Sequence, residues 1–290
     1  MFGNILSSIF GFIIDGSNSS RLARRSLVMT DPIYSPGFLI GTAAWSIPAP
    51  AKPLFGDVGS HLERYARVLK GVEINTSFYR DHKAQTYERW ARSVPADFRF
   101  TVKLSQVFTH DLALDVEEAE LAENLSAILN LGEKLGVILI QLPPKLVFHT
   151  KTVRSFFEKF RRSYIGGAVI EPRHISWSSD DALALLKEFH IGKVRADPEP
   201  CASDWRFQLE TSKVLYVRWH GSPVIYESRY EKADLDALSV ELSGVAHHFE
   251  SIWVVFDNTT FGWATVNALE FQEIIRSKNK TAMELQGGAL

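Results

Sequence analysis

The 290-residue sequence contains a single cysteine, Cys201, so no disulfide can form within the chain. Packing must hold the fold, and a reducing compartment suits it. Long apolar runs are also missing. Phe2 to Ile14 is apolar for only 13 residues, against the ~20 that a membrane-spanning helix needs. It lacks the basic leader of a secretion signal, and the expected location is cytoplasmic. Charge of one sign is not in excess: 32 Lys and Arg face 34 Asp and Glu, a formal net charge of −2. Nothing in that balance draws the chain to nucleic acid or to an anionic membrane. There is no Gly-x-Ser-x-Gly elbow, no Walker loop, and no His-x-His or His-Glu-x-x-His pattern, which removes several familiar hydrolase, nucleotide and metal signatures. No Gly-rich fingerprint follows the first strand, where Gly41-Thr-Ala-Ala-Trp45 runs into a Pro-rich loop. A doubly wound dinucleotide-binding sheet is therefore disfavoured.

Hydrophobic residues make up 46% and charged residues 23% of the chain, enough for a large core. The first 36 residues read as a poorly ordered extension. Its Ser- and Arg-rich part leaves an organellar transit peptide as an alternative, and Met29 is an alternative start. From Phe38 a period appears. Short β-branched runs are expected as strands at Phe38–Thr42, Val72–Asn75, Arg99–Lys103, Val137–Leu142, Ala168–Pro172, Lys193–Asp197, Val214–His220 and Ile252–Asn258. Amphipathic stretches near His61–Leu69, Gln85–Ser93, Glu117–Leu135, Thr152–Arg161, Asp180–Phe189, Lys232–His247 and Trp263–Arg276 alternate with them, with Asp180 and Asp181 placed to cap. The expected fold class is α/β: a single parallel (β/α)8 TIM-type barrel over residues 37–278, followed by a tail at 279–290. The sixth helix, in Pro198–Lys213, is expected to be short or replaced by a loop.

The expected strands end in polar residues, and in a parallel barrel those ends carry the active site. Glu73 and Asn75, Lys103, Gln141, Glu171 and Arg173, Asp197, Arg218 and His220, and Asn258 all fall there. Glu73/Asn75, Glu171/Arg173, Arg195/Asp197 and Arg218/His220 share strand parity, so each pair belongs on one face. Buried charges are costly unless paired, so such a ring serves either a ligand or a self-satisfied ion network plugging the barrel.

The segments Val72-Glu73-Ile-Asn75-Thr-Ser-Phe78-Tyr79-Arg80, Val107-Phe-Thr109-His110, Ile140-Gln141-Leu-Pro-Pro144, Glu171-Pro-Arg173-His174-Ile-Ser-Trp177, Val217-Arg218-Trp-His220-Gly221 and Asp257-Asn258 together resemble the domain-of-unknown-function 72, or YecE-like, family. The resemblance runs from about Gly41 to Ala268 and implies a TIM-type barrel but no established activity. The sequence departs from the family pattern in three places. Ala43-Ala44 replaces Ser-Gly, Pro172 replaces Phe, and Asp257-Asn258 replaces Asn-Asn.

Three classes of function fit these residues. The first is acid–base or hydrolytic chemistry on a small polar, anionic or phosphorylated substrate. Glu73, Lys103, Glu171 and His220 are then the catalytic set, with Glu73 and Glu171 as base and acid. Lys103, Arg173 and Arg218 bind the anion, and His110, His174 and His220 move protons. Tyr79, Trp177, Tyr226 and Tyr230 wall the substrate, with Asn75, Gln141, Asp197 and Asn258 as further polar contacts. No cofactor is required. The second is a divalent-metal centre drawn from Glu73, His110, Glu171, His174, Asp197 and His220, in a nuclease-like or sugar-isomerase-like barrel. The third is a non-catalytic binding barrel. A nucleic-acid version of it would use the Arg154, Lys159, Arg161, Arg162 cluster, which reads more simply as a solvated helix face.

Overall fold

The structure is a computed structural model that describes residues 37–201, 208 and 210–287. The expected N-terminal extension and residues 202–207 and 209 of the sixth connection lie outside the described residues. Parallel strands alternate with helices, except that β6 runs through Val194 directly into β7. In chain order the strands are β1 (Gly37–Thr42), β2 (Gly71–Ile74), β3 (Arg99–Lys103), β4 (Leu135–Gln141), β5 (Ala168–Glu171), β6 (Gly192–Lys193), β7 (Arg195–Asp197), β8 (Val214–Trp219) and β9 (Ser251–Phe256). The longer helices are α1 (His61–Ala66), α2 (Ala84–Arg92), α3 (Glu118–Ile128), α4 (Thr150–Ser163), α5 (Asp180–Glu188), α6 (Lys232–Val245) and α7 (Trp263–Gly287). Within the sixth connection Gln208, Glu210 and Thr211 are helical. No helix among the described residues is long and apolar enough to cross a membrane.

Two parallel sheets result, in the orders β2-β3-β4-β5-β6 and β1-β9-β8-β7. The expected sixth strand is split at Val194. β6 pairs with β5, and β7 pairs with β8. Val194 N–H still donates to the Ile170 carbonyl at 2.8 Å. The sheets also meet where β1 ends. There Ala43 N–H donates to Phe256 O and Ala44 N–H to Glu73 O, both at 2.9 Å. Tyr65 of α1 reinforces this seam. Its buried hydroxyl accepts from Thr42 N–H at 2.9 Å and donates to the Gly71 carbonyl at 3.2 Å.

Strand parity sorts the core into two layers. Val72, Ile74, Phe100, Val102, Ile138, Ile140, Ile170, Val217, Ile252 and Val254 face the helices and form the larger apolar cluster. Alternate residues, among them Val137, Leu139, Val169, Val194, Tyr216, Trp253 and Val255, form a second cluster drawn from both sheets. Strands buried on both faces read as continuous apolar runs, as these do. Glu73, Thr101, Lys103, Gln141, Glu171, Arg218 and Asp257 share the parity of this second cluster and continue it toward the C-terminal ends of the strands.

Local signals explain most element ends. Ser60 and Glu63 form a capping box for α1. The cap of α5 is Ser179, which accepts from Ala182 N–H at 3.3 Å. Asp180 and Asp181 occupy the first turn, where they complement the helix dipole. The expected capping role of these two aspartates is corrected accordingly. Gly132, at φ 54°, ends the helical run after α3. Ala44 has φ 74°, the left-handed region that costs an L-residue about 1–2 kcal/mol. The family pattern carries glycine there. The basic cluster of α4 is engaged with the protein. Arg154 pairs with Glu188 and Arg162 with Glu118, while Arg161 donates to carbonyls of Phe189, Tyr164, Gly166 and His190.

A Cβ added at Gly41 would lie 2.0 Å from the Gly71 carbonyl oxygen, where only backbone can yield. Gly41→Ala is therefore expected to destabilise the seam by about 1–3 kcal/mol, read as a lower thermal unfolding midpoint.

Candidate active site at the C-terminal strand ends

Arg218 is the centre of the polar layer. It projects from β8 and is 1% exposed. Its Nε and Nη2 donate to the two oxygens of Glu73 on β2, at 3.0 and 2.8 Å. Its Nη1 donates to Glu171 of β5 at 3.2 Å, and Nη2 lies 3.0 Å from Asp257, just past β9. Tyr216, two residues earlier on β8, donates its hydroxyl to Glu73 at 3.0 Å. Thr101 of β3 shares a hydrogen bond with the same hydroxyl at 3.0 Å. Glu73 is thus bidentate to Arg218, bonded to Tyr216 and wholly buried. This corrects its expected role as a base, because its oxygens are occupied and no surface reaches them.

His220 is held from both sides. Nε2 lies 2.9 Å from Glu171 and Nδ1 3.0 Å from Asp257. Burial would lower its pKa, but Glu171 and Asp257 outweigh burial and raise it. Both ring nitrogens then donate, and the expected proton-shuttling role gives way to a clamped imidazolium. Burial alone would raise Glu171, yet Arg218, His220 and Arg173 outweigh it and hold the carboxyl well below its usual range. Arg173 donates to Glu171 through Nη2 at 3.0 Å and keeps 21% of its side chain exposed. Glu171 therefore stays ionised and is corrected from a proton donor to a structural anion. Asp257 is likewise depressed: Arg218 and His220 outweigh burial.

Lys103 differs from every charge beside it. It is 5% exposed, and among the described residues its ammonium has neither an ion pair nor a hydrogen bond. Its Nζ lies 3.9 Å from the centroid of the Phe78 ring. Burial, followed by repulsion from Arg218, pushes its pKa down to about 8 against the pull of Glu73, Asp257 and Glu171. Phe78 meets His110 edge-on, with centroids 4.9 Å apart. Burial, then Lys103 and Arg173, lower the pKa of His110. His110 Nδ1 shares a hydrogen bond with Thr109 Oγ1 at 2.9 Å. Lys103 and Arg173 are thus the cations around the His110 ring, next to the carboxylate layer. Four cationic side chains, Arg218, Arg173, Lys103 and protonated His220, stand against three carboxylates there.

Other expected contacts scatter. Trp177 is fully buried and donates Nε1–H to the Leu146 carbonyl, so it is core and not a wall. Asp197 and Tyr230 bond each other at 2.6 Å in a separate cleft with Arg195, Trp219 and Asp234. Asn258 is buried and donates to Ser228 O and Asn267 Oδ1, which ties down the loop before α6. His174 accepts from Ser176 N–H through Nδ1. Tyr226 faces the His220 ring at 5.9 Å and is 39% exposed. Tyr79 is 67% exposed beside Phe78. Gln141 is buried opposite Glu171 in the β4–β5 register. Asn75 carries a buried Oδ1 without a partner. Tyr216, Thr101 and Phe78 were not expected at the site, although strand parity with Arg218 and Lys103 points to the first two. A cleft of about 940 Å³, bordered by Gly136, Arg161, Gly167 and Ser251, opens at the opposite ends of the strands. Among the described residues no group of three or more His, Cys, Asp and Glu is arranged to hold a metal ion. Of the ligand types expected for one, Glu73, Glu171 and His220 are committed to the Arg218 network.

A family model described as "Protein of unknown function DUF72" matches residues 39–288. The chain is 25% identical to the UPF0759 protein YunF of Bacillus subtilis, over 74% of this chain and 86% of YunF. It is 32% identical to the UPF0759 protein YecE of Escherichia coli over 36% of this chain and 37% of YecE. Among solved structures it is similar to a DUF72 family protein from Thermotoga maritima, with a TM-score of 0.68 and 22% identity over 82% of this chain and 99% of that one. A DUF72 family protein from Enterococcus faecalis gives a TM-score of 0.65 at 20% identity, over 83% and 96% of the two chains. At these identities the structural likeness concerns the fold.

Two outcomes follow from the site's electrostatics. Arg218→Met leaves three buried carboxylates without their shared partner and is expected to cost about 3–5 kcal/mol, measured by urea unfolding. Lys103→Met removes a buried ammonium that burial disfavours. It is expected to raise stability at pH 7 by about 1–3 kcal/mol, since each unit of pKa depression corresponds to roughly 1.4 kcal/mol. That gain is expected to shrink as the pH rises above about 8, where wild-type Lys103 is already neutral.

Proposed function

We propose a function for this chain, which belongs to the DUF72 family, from the geometry of its polar layer. It is an enzyme that receives a small anionic substrate at the C-terminal face of a closed (β/α)8-type barrel, with Lys103 as its proton-transferring group. The barrel reading is supported by the two seams at Ala43–Glu73 and at Val194 and by the inner cluster common to both sheets. The observation that carries the functional reading is the state of Lys103. Every other charge of the layer has a counter-ion, whereas this nearly buried ammonium has none among the described residues.

An unpaired buried cation costs several kcal/mol, and an anion that arrives from solvent restores that loss. Arg173 presents its partly exposed guanidinium on the same side, suited to two-point contact with carboxylate or phosphate. His110 and Tyr226 border the approach. The carboxylates beneath take no direct part. Glu73, Glu171 and Asp257 hold Arg218 and His220 in place, and their negative charge keeps Lys103 from losing its proton below about pH 8. A group that titrates near neutral pH is suited to acid–base work.

Inorganic phosphate is a sufficient probe. It is expected to bind at pH 7 by calorimetry and to weaken by about tenfold at pH 9, as a lysine with a pKa of about 8 loses its charge. Arg173→Gln and Lys103→Met are each expected to weaken it further. The site reading fails if neither phosphate nor a small carboxylate binds at any pH. The catalytic role of Lys103 fails if an identified substrate turns over equally well in Lys103→Met.

A further inference from the structure

We infer that Lys103 forms a covalent imine with an aldehyde or ketone that also bears a carboxylate or phosphate, a 2-oxo acid being the smallest such compound. This inference deepens the proposed function and rests on it for the anion.

The placement of Lys103 favours a nucleophile over a static charge. A permanent anion contact is better served by arginine, whose fork stays protonated, and Arg173, which shares His110 as a neighbour with Lys103, already supplies one. Lysine is useful where the amine must shed its proton, and desolvation with a neighbouring cation is the recognised way to bring that about. Both conditions are met here. The ammonium is 5% exposed, one side is covered by the Phe78 ring at 3.9 Å, and Arg218 repels it from below. The charged groups that face it are Arg218, Glu73, Asp257 and Glu171 from the inner layer. From the loop after β3 it faces His110, which also senses Arg173. Phe78 keeps water from one flank, and the apolar residue below it in the β3–β4 register is Leu139.

The chemistry closes without an added oxidant or cofactor. Neutral Lys103 Nζ attacks the carbonyl carbon, and the C=O π pair moves to oxygen. One amine proton passes to that oxygen, forming a carbinolamine. His110 is a neutral imidazole by the same electrostatics, and its Nδ1 is engaged with Thr109, so Nε2 is the atom that exchanges protons. A solvent proton relayed through His110 Nε2 protonates the carbinolamine hydroxyl, which leaves as water as the nitrogen lone pair forms the C=N bond, and the remaining N–H proton of the iminium returns to solvent by the same route. The net change is amine plus carbonyl giving imine plus water. Arg173 holds the carboxylate or phosphate during these transfers.

Reductive trapping tests the inference. The full chain is incubated at pH 8 with pyruvate and sodium cyanoborohydride, which delivers hydride to the imine and leaves a stable secondary amine. The site is mapped by peptide mass spectrometry. Labelling at Lys103 is expected to exceed that at surface lysines such as Lys145 and Lys151 by at least about tenfold, given its larger share of unprotonated amine. Inorganic phosphate is expected to suppress it. Arg173→Gln is expected to reduce labelling by pyruvate while leaving labelling by propionaldehyde, which carries no anion, within about twofold. Lys103→Arg keeps the positive charge and cannot form an imine, so trapping is lost while phosphate still binds. Phosphate binding with no preference for Lys103 over surface lysines overturns the imine and leaves the anion site standing. Absence of both overturns the inference and the proposed function together.

Discussion

One guanidinium organises the upper half of this molecule. Arg218 reaches across from β8 to carboxylates on β2, on β5 and just past β9, and these four segments belong to both sheets. In a buried setting such contacts are retained only if nearly every donor and acceptor is satisfied, because ion desolvation costs several kcal/mol for each charge. Here the satisfaction is close to complete. Tyr216 completes Glu73, His220 and Arg173 complete Glu171, and His220 completes Asp257. The network acts as a rigid floor.

That floor determines what can be reactive above it. Carboxylates whose oxygens are taken up by one to three cations are poor bases, and an imidazole donating from both nitrogens cannot accept a proton. In the proposed function, reactivity falls to the group left over, Lys103. The sequence departs from its family at Asp257, where the pattern has asparagine. The carboxylate gives Arg218 a third anionic partner and His220 a second. It also adds to the pull that keeps Lys103 protonated. With a neutral residue there, the same layer would hold two carboxylates against four cations.

Much of the fold was legible because strand periodicity is a local property. All eight expected runs are strands to within two residues at either end, and the exception in continuity is the break at Val194. That break arises from a change of partner between sheets, which no local pattern records. The capping of α5 shifted by one residue because Ser and Asp compete for the same position. At the site, parity placed Glu73, Lys103, Glu171 and Arg218 inward correctly. It applies equally to Tyr216 and Thr101, but a tyrosine and a threonine in a strand read as ordinary β-formers. Trp177 was misread as a wall, since an aromatic in a loop looks alike in sequence whether it faces solvent or core.

Residue types and their alternation thus determined by themselves that the chain is α/β, that its strands are buried on both faces, and that a ring of charge sits where they end. They could not determine who pairs with whom. Arg218 and Glu73 are 145 residues apart in the chain, and their meeting is set by strand order, register and the depth of each side chain. Only the tertiary structure decided that three carboxylates would be shared among Arg218, Arg173 and His220 and that Lys103 would be left without a partner. The physical reason is that ion pairing in a buried layer is a matching problem over all its members at once, whereas a sequence presents each charge with its chain neighbours alone.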